Sequence, residues 1–557
     1  MINIVKNFFL IAYDRSYLNF LLITFLNFFV FFFEFVSLIS IIPLITLIFE
    51  DTGSNVVGMT YFMKFFNIFF NELSIKNLAI FVIILSIIKF CTQFFSTYFQ
   101  EKFSLTSCKR IQKNILSNLI RANYSYLIKV KTSHISNYIF SEVNRVRVSC
   151  ISLNHFLYNL MSIVVLFIGS SFINIYFSFL TIILGSIYFL TLSPFNIFFA
   201  RQGKIQKNTR NNILQQIQLV FNNFKNFKIL NKNQFFMSEI SNTVERLFKS
   251  EINSSIAKAI IKNLYEPVLI CLTMIMIFFY YEFLVNFKIA EMGALFIIFS
   301  RMFSRFATMV QSANQFFLGK SSLLSVIDQE RQTKMNKELG TGIEINKINN
   351  IEFINTSFSY GKKNVFKNLN FKIEPGSIVS IYGKSGSGKT TIADLIAGFI
   401  PLSNGQLLID DIDIKKINVF SLREKIGYIT QDSYLFDGSV RYNLLLTNNK
   451  DKDLEIIKIL ELFELKNLFL QDKIDLDKGI YDKALNISGG QKQRLLITRE
   501  ILKKPDLIIF DESLSQLHKD MRMEVFKKIK RILPNISIIN LTHNDEFKSI
   551  SDKVLEI

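Results

Sequence analysis

Residues 381–391, IYGKSGSGKTT, restrict the fold of this chain more than any other stretch: an apolar run must stop, turn through glycines and enter a helix. The pattern G-x-x-x-x-G-K-[ST] is met by Gly383, Gly388, Lys389 and Thr390, with Gly386 inside the loop. Glycines let consecutive backbone N–H groups converge on phosphate oxygens where a Cβ would collide. The helix that follows adds its positive end, Lys389 reaches the β- and γ-phosphates, and Thr390 offers a hydroxyl to Mg²⁺. An accidental glycine turn would lack the apolar strand SIVSIYG before it and the helical segment TTIADLIAG after it. The expected phosphate cradle is Gly383, Lys384, Ser385, Gly386, Ser387, Gly388, Lys389, Thr390 and Thr391, in an α/β P-loop domain.

Four downstream segments fit the same chemistry. LIIFDES, residues 507–513, is an apolar strand ending in Asp511, placed to hold the water shell of a metal ion, and Glu512, placed to polarise an attacking water. NISGGQKQR contains Ser488, Gly489, Gly490 and Gln491, a second glycine-rich helix start suited to another phosphate. YITQDSYLF puts Gln431 after a strand, where its amide reaches metal and water, and IINLTHN puts His543 at the end of a final strand.

This set and order of motifs resembles the nucleotide-binding domain of ABC transporters, over about residues 349–557. The resemblance implies ATP and Mg²⁺ as ligands, with Thr390, Gln431 and Asp511 around the metal. It implies Glu512, Gln431 and His543 as the catalytic set and Tyr360 as the residue stacked on adenine. It also implies that Ser488–Gln491 close on ATP bound by the other copy. One cradle and one such tip per chain make this half of a dimer, a homodimer with intertwined domains, or a heterodimer with a second half.

The rest of the chain reads as membrane. Of 557 residues, 60 are Phe and none is Trp. The apolar residues cluster N-terminally in runs long enough to cross a bilayer, which takes roughly twenty residues. Six spans are expected, at about 18–48, 78–99, 150–173, 176–199, 263–286 and 289–317. A soluble core rarely supplies helices this apolar for this long. No cleavable signal peptide is read at the N-terminus, where MINIVKNFFLIAY looks like an amphipathic segment on the inner membrane face. The domain plan is thus 1–325 transmembrane, 326–348 linker and 349–557 nucleotide-binding.

Charge sets the orientation. Residues 101–150 carry nine Lys or Arg against Glu101 and Glu142, and residues 201–260 carry ten against three acids. Basic loops stay in the cytoplasm, on the side of the ATPase domain, in a multi-pass membrane protein; a bacterial inner membrane is what the family resemblance implies. Much of the net charge of +19 arises there, so no nucleic-acid partner is needed to explain it. Both long loops read as helical extensions of the spans, broken at 122–136 and 222–234, where short coupling helices are expected. This spacing resembles the exporter-type half-transporter. The four cysteines, Cys91, Cys108, Cys150 and Cys271, show no paired spacing and read as free thiols.

Three cations fall inside spans: Lys89 in span 2, and Arg301 and Arg305 one turn apart in span 6. A cation in hydrocarbon costs roughly 3 kcal/mol and normally faces a cavity or a partner. No acid lies in those two segments, so all three are expected to line a cavity for an amphipathic, anionic substrate. The layout looks most like bacterial lipid-linked oligosaccharide flippases, through IIPLITLI in span 1, the cation in span 2 and FKNLNFKI before the cradle. A peptide or toxin exporter, a lipid A exporter and a nucleotide-gated channel or regulator would share the ATPase motifs. The chain departs from its family at Ser515-Gln516-Leu517-His518, where an aspartate is usual in place of His518.

Overall fold

The long loops of the N-terminal half do fold as helices that carry the spans well beyond a bilayer's thickness. In the computed structural model, residues 17–40, 66, 70, 74–171, 174–283, 289–361, 363–384, 386–431, 434–447, 450–465, 470–471, 473–481, 487–514 and 517–557 are described. The N-terminal amphipathic segment, the end of span 1 and the loop after it, Ser385, Ser515 and Gln516 lie outside these. The chain forms two units, Met1–Ala122 with Tyr126–Lys337, and Asn123–Ser125 with Glu338–Ile557.

The first unit is helical. Helix α1 is Tyr17–Ile39 and α2 is Ile75–Ile120, the latter started by Ser74, whose hydroxyl accepts from the Asn77 N–H. The expected break after α2 holds two short helices, α3 Tyr124–Leu127 and α4 Thr132–Asn137, and a single π turn leads into α5, Val143–Ser171. Span 4 is α6, Ile175–Leu192, continued after Pro194 by α7, Phe195–Asn222. At the second break lies α8, Phe224–Leu230, ended by Asn231 in the left-handed conformation. Then come α9 Asn233–Asn263, α10 Tyr265–Phe283 and α11 Ile289–Met335. Residues 326–335, expected within the linker, continue α11 without interruption.

Tyr17–Ser37, Ile75–Ile120, Thr132–Ser171 and Ile175–Asn222 are long and apolar enough to cross a membrane. Span positions five and six coincide with α10 and the first part of α11. Lipid-facing residues explain why Ile83, Ile87, Phe90 and Phe94 of α2 stand exposed while Ile111, Ile115 and Leu119, further along, are buried. All four cysteines are free.

Among the described residues the second unit has two small two-stranded sheets and two large ones. An antiparallel one orders β2 (Lys363–Ile373), β1 (Ile351–Tyr360), β4 (Asn404–Ile409) and β5 (Ile412–Asp413). The other is parallel, in the order β9 (Lys553–Glu556), β3 (Ile378–Tyr382), β8 (Ser537–Thr542), β7 (Leu507–Asp511) and β6 (Ile426–Ile429). Strand β7 is buried at every position, as a central parallel strand must be with both faces covered. Its alternation divides the core: Ile508 and Phe510 enter one apolar cluster with Val525 and Phe526, while Leu507 and Ile509 enter another with Val379 and Ile392.

Gly203 in α7 shows how tightly the first unit is packed, because a Cβ there would sit 1.9 Å from the Leu318 carbonyl oxygen of α11. Backbone cannot yield as a side chain can. Gly203→Val should cost about 3 kcal/mol through overpacking and lower the thermal midpoint of the detergent-solubilised protein by roughly 6 °C or more. An unchanged midpoint would show that the two helices are not in contact there.

Candidate functional site

The register of the parallel sheet brings distant motifs to one edge. Phe510 of β7 lies opposite both Ile429 of β6 and Asn540 of β8, and Asn540 lies opposite Ser380 of β3. Gly383, Gln431, Glu512 and His543 each follow that row by two or three residues, so all four emerge at the carboxyl ends of neighbouring strands. That edge is where open parallel sheets bind ligands.

Helix α12, Lys389–Ile396, begins directly after the glycine loop. Gly388, its N-cap, has φ +108°, and a Cβ there would also meet Val365 Cγ1 at 2.3 Å, so only glycine fits. Gly386 likewise has positive φ, +81°. Lys389 is buried, and its Nζ donates to the carbonyls of Gly383 at 2.8 Å and Lys384 at 3.3 Å and lies 3.2 Å from Glu512 Oε1. Thr390 Oγ1 donates to Asp511 Oδ1 at 3.1 Å. Among the described residues the buried Ser387 hydroxyl has no hydrogen-bond partner, and Thr391 is buried. Lys389, Thr390, Asp511 and Glu512 are therefore one connected cluster.

Burial pushes the Asp511 carboxyl above the ordinary range, a tendency opposed by the Thr390 hydroxyl and by Lys389 and reinforced by Glu512. A bound cation would act in the opposite direction, favouring the ionised form that a metal ligand requires. Glu512 takes a left-handed backbone, φ +48°, uncommon outside glycine. His543 Nδ1 lies 3.8 Å from Glu512 Oε1, with its ring largely exposed. Gln431 is exposed beyond β6. Tyr360 ends β1, half exposed, its ring edge-on to Phe358 at 4.8 Å.

Ser488 caps α13, Gly489–Leu502, and its hydroxyl accepts from the Gln491 N–H while Gln491 Oε1 accepts from the Ser488 N–H. This reciprocal cap fixes an exposed helix start with Gly489 and Gly490 in its first turn. Among the described residues no hydrogen bond or ion pair joins Ser488, Gly489, Gly490 or Gln491 to the cradle of the same chain. His518, exposed, precedes the helix Lys519–Ile532 without capping it through its side chain.

The helical unit holds a cavity of about 630 Å³ between α1, α2, α5, α9 and α11. Its eighteen lining residues include seven carboxamides, three cations (Lys258, Lys262 and Arg305) and no carboxylate. Asn314 is buried there, and among the described residues its Oδ1 has no hydrogen-bond partner. Of the three cations expected at a cavity, Arg305 lines it, Arg301 is exposed on α11 outside it, and Lys89 is not part of its wall. The expectation that these cations lack an acidic partner is corrected: buried Glu34 of α1 lies 3.4 Å from Lys89 Nζ and 2.9 Å from Arg305 Nη2. The acid sits on span 1, outside the two segments that carry the cations, so a search confined to those segments passes it by. Scanning every span for ionisable residues is the signal that finds it.

The ABC transporter transmembrane region model matches residues 20–309, more than half of the chain, and the ABC transporter model matches residues 366–515. The chain belongs to the ABC transporters. It is similar to the microcin-J25 export ATP-binding/permease protein of Escherichia coli, at 32% identity over 42% of this chain and 40% of that protein. It is also similar to an ATP-dependent lipid A-core flippase of Syntrophus aciditrophicus, at 34% identity over 35% of this chain and 32% of the other. The matched stretch thus spans less than half the length of either relative. A bacterial Atm1-family ABC exporter solved with ATP bound shares the fold, with a TM-score of 0.79 at 16% identity, over 96% of this chain and 93% of that one. This ABC transporter therefore has the exporter fold, a multi-pass helical membrane domain fused to the ATPase domain.

Lys389→Ala removes the cradle's charge while leaving the glycine loop intact. Titration with a fluorescent ATP analogue should show binding weakened at least tenfold, since a charge-assisted contact to phosphate is lost. Unaltered affinity would place the nucleotide elsewhere.

Proposed function

We propose that this ABC transporter works as a pair of identical half-transporters that bind and hydrolyse ATP to move an anionic, amphipathic cargo across a bacterial inner membrane. The ATPase domain and the basic helical extensions face the cytoplasm in this reading. The observation that carries the cargo class is the cavity, whose wall offers carboxamides, hydroxyls and three cations but no carboxylate. Such a wall hydrogen-bonds a hydroxyl-rich headgroup and attracts negative charge, while it repels cations and offers little to a purely apolar ligand. A lipid-linked oligosaccharide has that chemistry, a polyhydroxylated head on a phosphorylated lipid.

The cradle's backbone N–H groups and Lys389 would neutralise the phosphates, with Tyr360 against adenine. Glu512 would take the proton from the attacking water, and His543 and Gln431 would sense the γ-phosphate from either side of it. Thr390, Gln431 and Asp511 fit Mg²⁺ as an oxygen-donor set, and the ion would shield the phosphate charge there. The exposed tip at Ser488–Gln491 would cover the nucleotide held by the second copy, so binding closes the pair and hydrolysis releases it. Closure would reach the bundle through the short helices α3, α4 and α8.

The seven carboxamides also suit a peptide backbone, so a peptide cargo is the second reading, and one relative is named for export of microcin-J25. In proteoliposomes, ATP-driven flipping of a fluorescent lipid-linked oligosaccharide is expected, slowed at least tenfold by Arg305→Ala. Unchanged flipping in that variant rejects charge recognition, and transport of a labelled peptide without flipping favours the second reading. Glu512→Gln should lower ATP hydrolysis by about a hundredfold or more while ATP still binds. Hydrolysis at the original rate would remove Glu512 from the chemistry.

A further inference from the structure

Glu34, a carboxylate with the same sign of charge as the cargo just argued for, stands behind the wall of this cavity. Its side chain is 4% exposed, and it does not line the cavity. Arg305 does line the cavity, and it holds both Glu34 oxygens at 2.9 Å through a single nitrogen, Nη2, instead of the two-nitrogen fork. The guanidinium also lies 5.5 Å over the ring of Tyr158, another lining residue. Arg305 is thus shared between a buried acid on one side and open cavity on the other. Lys89 approaches the same carboxylate at 3.4 Å from α2. One anion therefore serves two cations and ties α1 to both α2 and α11.

A tie of this kind has a defined physical response to a second anion. A buried carboxylate beside two cations is favourable only while it neutralises them, and removing one partner leaves uncompensated charge in a low-dielectric site. An arriving phosphate brings more charge and more acceptor oxygens than Glu34 can, and an arginine takes a phosphate in its fork. The cavity supplies further cations to accompany it, since among the described residues no carboxylate pairs with Lys258 or Lys262.

Building on the proposed anionic cargo, we propose that Glu34 is a resident counter-ion which the phosphate or pyrophosphate group of the cargo displaces from Arg305. Until that group arrives, Glu34 holds Arg305 from behind the wall, competes with smaller anions for it and pins span 1 to spans 2 and 6. Exchange of one anion for the other frees α1, so occupancy of the cavity loosens the bundle at the same step that recognises the cargo. Glu34 is accordingly a specificity-determining residue acting through Arg305.

The test uses the full chain in lipid nanodiscs, with farnesyl diphosphate as the lipid-borne probe and inorganic pyrophosphate as the free one, titrated calorimetrically. Glu34→Gln should bind farnesyl diphosphate at least tenfold more tightly than the unaltered protein. Its thermal midpoint should be lowered without the probe and restored with it. Arg305→Gln should abolish binding, and Glu34→Gln added to Arg305→Gln should restore none of it. Glu34→Asp, which keeps the charge on a shorter arm, should tighten binding about threefold and serves where the glutamine variant does not fold. Equal or weaker binding in both Glu34 variants, with Arg305→Gln still deficient, overturns the counter-ion role and leaves the anionic cargo standing. If no form binds either probe, the anionic cargo itself fails and this inference with it. Binding of the lipid probe alone identifies a lipid-borne phosphate, and equal binding of pyrophosphate identifies the phosphate alone; both support the exchange.

Discussion

The alignment of strand ends in the five-stranded parallel sheet is the constraint on which the ATPase site rests. Parallel pairing fixes Ile429, Phe510, Asn540 and Ser380 in one row, and every candidate catalytic group leaves the sheet just beyond it. A slip of one residue in β7 would turn Ile508 and Phe510 toward the cluster that now receives Leu507 and Ile509, reversing the burial of the whole strand. Core packing therefore enforces the register, and the register places Lys389, Asp511 and Glu512 within reach of one another. Here the fold's stability and the geometry of the site have the same cause.

In the membrane half the informative contacts are polar pairs between helices. Glu34 meets Lys89 and Arg305 within hydrogen-bonding or ion-pair distance, and Asn27 accepts from Ser96 at 2.5 Å beside the same cavity. These contacts join α1 to α2 and α11. The cavity next to them keeps carboxamides, hydroxyls and cations facing inward. That composition is what supports the proposed cargo class.

Much of this was legible from residue order alone. The glycine spacing at 383–390, the apolar strand ending at Asp511 and the length of the apolar runs each require one local structure, so the cradle and the helical membrane half follow directly. The breaks in the long loops announced α3, α4 and α8 through their turn-forming residues. The pairing of Glu34 was not legible, because it joins α1 to α2 and α11 across hundreds of residues and depends on how the helices pack. For the same reason Arg301 and Arg305, four residues apart, could not be assigned separately to an exposed surface and a cavity wall. The cavity's carboxamide lining is assembled from five helices, none of which shows it in isolation.

The proposed mechanism requires a complete nucleotide site shared between two copies, the cradle from one and the Ser488 tip from the other. Mixed dimers in nanodiscs test it directly, using Lys389→Ala to break the cradle and Ser488→Arg to break the tip. With one change on each chain, a shared arrangement leaves one site intact, and about half the ATP trapping of the unaltered dimer should remain. With both changes on one chain and an unaltered partner, both sites are broken and trapping should vanish. The reverse pattern, loss in the first pairing and half retention in the second, would show that each chain completes its own site and would contradict the account.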